Sequence, residues 1–277
     1  MSILIGVDNY SFHRLLGETR PGESPSSDSP WDWKDTIRFA EVSGADVIAL
    51  ETCFISGPDE VIHYRGYRRP QLMVSWGHPN GLEYGTSTNA ENDLLAWMRI
   101  AAELESRRMR IVIAHPALRE RLWTPSTRRR TIESLKRVAA SARTFDLHLA
   151  IENHADLTAR ELVDLLDAVG AENLEVCFDL ANASRVGDDP IDAARVLAPH
   201  VSVVHVKDVD LTRSYGLAGP PSVKLGTGSL PVRQAVKVVT EARPDVWLLV
   251  ELAQIEDSAL SEEEWVTRDI AWIRSHL

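Results

Sequence analysis

The chain has 277 residues, 44% of them hydrophobic, and carries a formal charge of −11. That length suits one large domain or two small ones with ample apolar material for a core, and the acidic balance disfavours a nucleic-acid groove. No apolar run reaches the roughly 18 residues that cross a membrane, and "MSILIGVDNYSF" lacks a basic leader with a long apolar stretch, so a cytoplasmic protein is expected.

Short apolar runs alternate with helical patterns along the whole chain. The expected strands are "ILIGVDN" (3–9), "DVIALET" (46–52), "QLMVSWG" (71–77), "RIVIAHP" (110–116), "LHLAIEN" (147–153), "LEVCFDL" (174–180), "VSVVHVK" (201–207) and "VWLLVEL" (246–252). Most are rich in Val, Ile and Leu without clean alternation, as parallel strands covered by helices should be. Cys53 and Cys177 fall in different strands without metal or redox spacing, and read as two buried thiols in a reducing compartment. Thr158 with Glu161 forms a capping box before "LVDLLDAVG", which Gly170 should end, and Ser261 with Glu264 starts the last helix. Thr124–Pro125 and Asp189–Pro190 read as N-cap followed by proline at the first helical position. The stretch "SGPDEVIHYRGYRRP" between the second and third strands is poorly helical, and "TRRRTIESLKR" is a solvated helix face.

Eight strand–helix units in this length match a single (β/α)8 TIM barrel over residues 1–277, with a flexible loop at about 17–33 and a long loop at about 208–230. A doubly wound sheet is the rival, but "GVDNYSFHR" offers no G-x-G-x-x-G after the first strand.

In a barrel, polar residues at the C-terminal strand ends converge on one mouth, where active sites form. "LHLAIENHAD" (147–156) ends an apolar run in Glu152, Asn153 and His154, and alternation points Glu152 and His154 to one side. Asp179, His205 and Glu251 end the next three strands in the same way. Any one alone is explained as a hydrogen-bonded barrel residue. Together, three carboxylates and an imidazole would repel without a cation, which favours one divalent metal: Mn2+ first, with Mg2+, Co2+ or Zn2+ as alternatives.

At these residues the chain resembles the xylose-isomerase-like barrels, which include sugar isomerases, epimerases and AP endonucleases. The resemblance covers nearly the whole chain and rests on "IENH", "CFDLAN", "VVHVKD", "LLVEL" and the opening "GVDNYSFH". It implies that Glu152, Asp179, His205 and Glu251 hold one metal, and that the two glutamates move protons on either face of a bound sugar. The chain also departs from the pattern. Many members have a histidine where Asn182 stands, and epimerases often have an arginine shortly after the metal histidine, where this chain has Lys207 and Asp208. Losing the histidine removes a ligand that the endonuclease branch needs, and with the acidic charge this argues against DNA repair.

Around this set, His154 is a general base or a residue that orients Glu152. Lys207 fixes a substrate oxygen, stabilises an enolate, or is a salt-bridged rim lysine. His115 is expected to touch substrate or to hydrogen-bond Glu152. Asn182, Tyr10, Trp76 and Trp123 are the other substrate-binding candidates, with Asp8 beside Tyr10. His13 and His78 follow the first and third strands and read as loop histidines. The 17–33 loop is either a lid carrying Trp31 and Trp33 or a mobile insertion. "LGTGSLP" (225–231) offers weak anion-binding potential before a helix.

The leading expectation is a metal-dependent sugar or keto-sugar isomerase or epimerase that abstracts a proton next to a carbonyl, with Glu152, Glu251, His154 and Lys207 as its catalytic residues. The alternative is the large subunit of a C-glycoside deglycosidase, a carbon–carbon lyase acting on 3-keto C-glycosides with a small second subunit. A third is a non-catalytic sugar-binding barrel. The expected partners are a small sugar or glycoside and a second copy of the chain, with no nucleic acid or membrane.

Overall fold

Alternation along eight parallel strands sorts apolar residues beneath charged ones. The computed structural model describes residues 3–26, 30–67, 69–255 and 260–277. The strands are β1 (Leu4–Asp8), β2 (Val47–Glu51), β3 (Gln71–Ser75), β4 (Arg108–Val112), β5 (His148–Glu152), β6 (Leu174–Asp179), β7 (Val201–Val206) and β10 (Trp247–Val250). They close into one barrel in the order β1-β10-β7-β6-β5-β4-β3-β2. All eight expected strands are present; β4 starts two residues earlier than its apolar run, at Arg108.

Two apolar layers hold this barrel. Val47, Ala49, Met73, Ala150, Cys177, Val203, Trp247 and Leu249 form a small buried cluster inside it. Below them Arg108 lies over the Trp247 ring at 4.8 Å and pairs with Asp245 at 2.9 Å. The other face of each strand joins the larger core under the helices. Gly6 is required where β1 meets β2, because a Cβ there would lie 2.0 Å from the Val47 carbonyl oxygen.

The helices are α1 (Trp33–Ser43), α2 (Pro58–Val61), α3 (Thr88–Glu103), α4 (Arg119–Leu122), α5 (Pro125–Arg143), α6 (Ala159–Val169), α7 (Leu180–Arg185), α8 (Pro190–Leu197), α9 (Val232–Ala242) and α10 (Glu262–His276). Both expected capping boxes form, and Gly170 ends α6 in the left-handed region at φ 65°. Thr124 and Asp189 cap α5 and α8 ahead of their prolines. The poorly helical unit after β2 contains only the four-residue α2 and a short 3-10 turn. No helix among the described residues is long and apolar enough to cross a membrane.

The two long loops are built differently from a simple lid. Within 17–33, residues 27–29 lie outside the described residues. The part before them packs against the loop after β10: Ile255 donates to Glu23 at 2.6 Å, and Gln254 donates to the Pro21 carbonyl at 3.0 Å. Trp31 packs on Phe12 and Phe39, and buried Trp33 packs on Tyr64, so neither faces the mouth. The 208–230 loop holds a short antiparallel pair, β8 (Asp208–Val209) with β9 (Ser222–Val223). In "LGTGSLP", the amides of Gly226, Gly228 and Leu230 donate to the Asp208 carboxylate at 3.1, 2.8 and 3.1 Å. The anion at this turn is therefore the chain's own side chain. A Cβ at Gly228 would sit 2.2 Å from that carboxylate. Cys177 is buried as expected, whereas Cys53 sits in the turn after β2 and is exposed.

Candidate active site

Six of the eight barrel strands carry an acidic residue or a histidine at or next to their C-terminal end, facing the interior. Asp8, Glu51, Glu152, Asp179, His205 and Glu251 are all buried there, at 5% exposure or less. Lys207 follows His205 on the same face and Arg110 stands on β4, both almost fully buried. Above them opens a cavity of about 390 Å3.

Five carboxylates thus face two permanent cations. Lys207 Nζ lies 2.7 Å from Asp179 Oδ2 and contacts Glu251 as well. Arg110 Nε lies 3.0 Å from Glu152 Oε2, its guanidinium pairs with Glu51, and Nη1 donates to the Trp76 carbonyl at 3.1 Å. Burial opposes charge on both cations, but the neighbouring carboxylates outweigh it and hold both protonated. Burial likewise pushes Glu251 and Glu152 towards the neutral acid. Lys207 and His205 outweigh it at Glu251, and Arg110 with the two histidines outweighs it at Glu152, so both stay ionised. At Asp8, Glu51 and Asp179 burial wins and raises the carboxyl pKa. Keeping all five ionised would be costly without a further cation.

The donor set fits such a cation. One ligand atom from each of Glu152, Asp179 and His205 lies within 4.8 Å of the others. Glu251, the fourth expected ligand, is not in that group: Lys207 holds its carboxylate, which lies 3.2 Å from His205 Nδ1. Neither ring nitrogen of His205 has an aligned hydrogen bond among the described residues. Carboxylate oxygens with one imidazole are donors for Mn2+, Mg2+, Co2+ or Zn2+.

Neighbouring amides fix the ligands. Asn182 Nδ2 donates to Glu152 at 3.1 Å and to Asp179 at 2.8 Å, so it sets the spacing of two carboxylates. Asn153 exchanges two hydrogen bonds with the Asp179 backbone, at 2.9 and 2.7 Å. Asp179 Oδ1 also caps α7, accepting from Ala181 and Asn182. His154 lines the cavity, and its Nδ1 has no hydrogen-bond partner among the described residues. Burial pushes its pKa down to about 4, so the ring is neutral at pH 7 and free to take a proton. Its backbone is held by Asp156, which accepts the His154 amide at 3.1 Å, and by Ala155 in the left-handed region at φ 57°.

The remaining expected residues divide. Tyr10, His78 and His115 line the cavity; the Tyr10 hydroxyl donates to Glu18 at 2.7 Å. His115 does not reach Glu152, because its Nδ1 accepts the Ala117 amide at 3.2 Å and caps the next turn. Trp76 and Trp123 are corrections. Trp76 is fully buried and its indole donates to Asp93 on α3 at 2.7 Å. Trp123 packs on Tyr84 and donates to Glu161 at 3.0 Å, so both rings serve the outer helical layer rather than the mouth. His13 is buried against Glu23. Sequence reasoning missed Arg110 and Glu51. Glu51 ends "VIALE" as Glu152 ends "HLAIE", the same signal three strands earlier; Arg110 hid as the flank of an apolar run.

Residues 61–276 match the family described as Xylose isomerase-like TIM barrel. An uncharacterized Escherichia coli K12 protein, YihM, is 37% identical over 87 residues, but the match covers 31% of this chain and only 27% of that protein. The 3-oxo-isoapionate decarboxylase of Pectobacterium atrosepticum is 21% identical over 199 residues, 69% of this chain and 70% of that one. Among solved structures, the 3-keto-D-glucoside 4-epimerase YcjR of E. coli in its apo form superposes with a TM-score of 0.73 at 14% identity, covering 99% of this chain and 100% of the other. With a closed barrel of eight parallel strands and a family match spanning most of its length, the chain belongs to the xylose-isomerase-like TIM barrel family.

Proposed function

We propose that this chain is a divalent-metal-dependent isomerase or epimerase of a keto-sugar, moving a proton on the carbon next to the carbonyl. The observation that carries the reading is the buried set Glu152, Asp179 and His205, with Glu251 beside it, under a cavity of monosaccharide size. A metal held by these residues would supply Lewis acidity to adjacent carbonyl and hydroxyl oxygens and offset charge that develops on them. Glu152 and Glu251 are ionised and so can accept a proton from carbon. Neutral His154, with an unbonded Nδ1, can take or return a proton from a second direction. Lys207 keeps Asp179 and Glu251 in place at the edge of the cavity.

A carbon–carbon lyase is the second reading, favoured by the relationship to 3-oxo-isoapionate decarboxylase, because enolisation and decarboxylation of a 3-oxo acid pass through the same kind of carbanion. The deglycosidase version would want an aromatic wall for the aryl group, which Trp76 and Trp123 do not supply because their indoles donate to Asp93 and Glu161. The test is deuterium exchange: Mn2+-loaded protein in D2O with a panel of ketoses, 3-keto-glucosides and 3-keto C-aryl glycosides. Exchange next to the carbonyl that disappears in Glu152→Gln supports the proposal. Bound Mn2+ with no exchange on any of them overturns it, and release of CO2 or of an aryl group selects the lyase.

A further inference from the structure

The cavity is anionic at its floor and cationic at its rim. Arg20, in the loop after β1, and Arg185, at the end of α7, both line it. Neither guanidinium has a carboxylate within ion-pair distance among the described residues. Arg20 donates to the Ala253 carbonyl at 2.5 Å and lies 5.8 Å from the centre of the Tyr10 ring. Arg185 donates to Asn182 Oδ1 at 3.0 Å and to the Leu217 carbonyl at 2.8 Å. A guanidinium carries five N–H donors, so each keeps donors in reserve.

By contrast, Arg14, Arg108, Arg110, Arg119 and Arg243, all at least partly shielded from water, each pair with a carboxylate. The nearby acidic side chains have other partners: Glu18 accepts the Tyr10 hydroxyl, and Glu23 pairs with His13 and accepts the Ile255 and Arg20 backbone amides rather than the guanidinium. Burial disfavours charge on Arg185, more distant Asp179 and Glu152 favour it and Arg20 opposes it; His115, disfavoured in its charged form first by burial, feels both arginines. Their anchors, Leu217 and Ala253, lie in the loops after β8 and β10, which meet where Ala253 donates to the Ser222 hydroxyl at 3.1 Å and Ser222 donates to the Gln254 carbonyl at 2.7 Å. Two half-buried like charges lining one opening, with no carboxylate in ion-pair contact among the described residues, form a site for an oxyanion.

We propose that the substrate is an anionic sugar whose terminal carboxylate or phosphate is held between Arg20 and Arg185, while its reacting carbon lies over Glu152 and Glu251. This rests on the reading of the cavity as a keto-sugar site. It also explains how a cavity with several carboxylates at its floor accepts an anion: the charged end stays at the rim. Through Asn182, Arg185 touches the amide that spaces Glu152 and Asp179, so docking of the anionic group is coupled to the ligand set.

The test uses three ketoses that differ at one carbon: D-fructose, D-fructuronate and D-fructose 6-phosphate. Their affinities for the Mn2+-loaded protein are measured by calorimetry in the wild type, Arg20→Ala, Arg185→Ala, Arg185→Lys and the exposed control Arg160→Ala. The expected result is at least tenfold preference for one charged ketose over fructose, and which one it is separates carboxylate from phosphate. Each alanine variant should cut that preference by about tenfold, Arg185→Lys should retain part of it, and Arg160→Ala should leave it unchanged. If the two arginines only clamp loops, their loss weakens all three ketoses in proportion and the ratio stays constant, which overturns the proposal. Equal affinity for the three, or no binding of either charged ketose, overturns it too. Deuterium exchange in the same samples separates the two readings. Preference for a charged ketose without exchange fails the keto-sugar chemistry alone, and exchange on fructose without preference fails the anion site alone.

Discussion

Lys207→Met isolates the contribution of one buried charge to the site. The side chain is 4% exposed, and its ammonium is shared between Asp179 and Glu251. Methionine keeps the volume and removes the charge, leaving two carboxylates uncompensated where only Arg110 and His205 remain. Breaking a buried pair by deleting one partner costs roughly 3–5 kcal/mol. At about 2–4 °C per kcal/mol for a domain of this size, the metal-free variant should melt at least about 6 °C lower. A divalent cation binding the same carboxylates replaces part of the lost charge, so saturating Mn2+ should stabilise the variant more than the wild type. Combining Lys207→Met with Glu251→Gln should cost less than the sum of the two, by about 1–3 kcal/mol. Urea unfolding with and without Mn2+ reads all three. A metal-free variant with the wild-type midpoint, or strict additivity with Glu251→Gln, would refute the claim that Lys207 balances these carboxylates.

Other expectations follow from single contacts. Asn182→Ala frees Glu152 and Asp179 from the amide that spaces them, and should weaken Mn2+ binding about 10–100-fold in a direct titration; unchanged affinity would show that the carboxylates space themselves. Asp208→Ala strips the acceptor from the amides of Gly226, Gly228 and Leu230, and should cost roughly 2–4 kcal/mol. Hydrogen exchange at Gly226 and Gly228 should accelerate, and unaltered protection there would contradict the assignment. Asp269 gives a pH dependence far from the site: burial pushes its carboxyl from 3.8 up to about 7, with the Leu225 amide as a partial offset. Because the folded pKa is raised, its contribution to stability is full below pH 3.8 and is lost as pH rises to about 7. That loss amounts to at most about 4 kcal/mol. Asp269→Asn should flatten the decline between pH 4 and 7 in urea midpoints, and an identical slope in both proteins would rule Asp269 out as its source.

How much of the site was legible depended on whether a residue announced itself along the chain. Glu152, Asp179, His205 and Glu251 each break an apolar run at a strand end, and once eight strands are counted they must share a mouth. The same count explains why the barrel could be read: its strands and helix caps are local patterns, set by side-chain alternation and by which backbone amides need an acceptor. What tertiary structure decided was partnership. Arg110 looked like the edge of a strand, yet it pairs with Glu152 on neighbouring β5 and with Glu51 on β2, two strands the other way. Trp76 and Trp123 follow strands towards the mouth in sequence, yet Asp93 and Glu161 on neighbouring helices draw their indoles outward. The Gly-rich turn near 226 has the amides to hold an anion, and Asp208, folded over from the other end of its loop, is that anion. A sequence fixes which groups carry charge or donors. Only the closed barrel brings together groups far apart in the chain, and the balance between desolvation and pairing then decides which of them meet each other and which, like Arg20 and Arg185, are left facing the cavity.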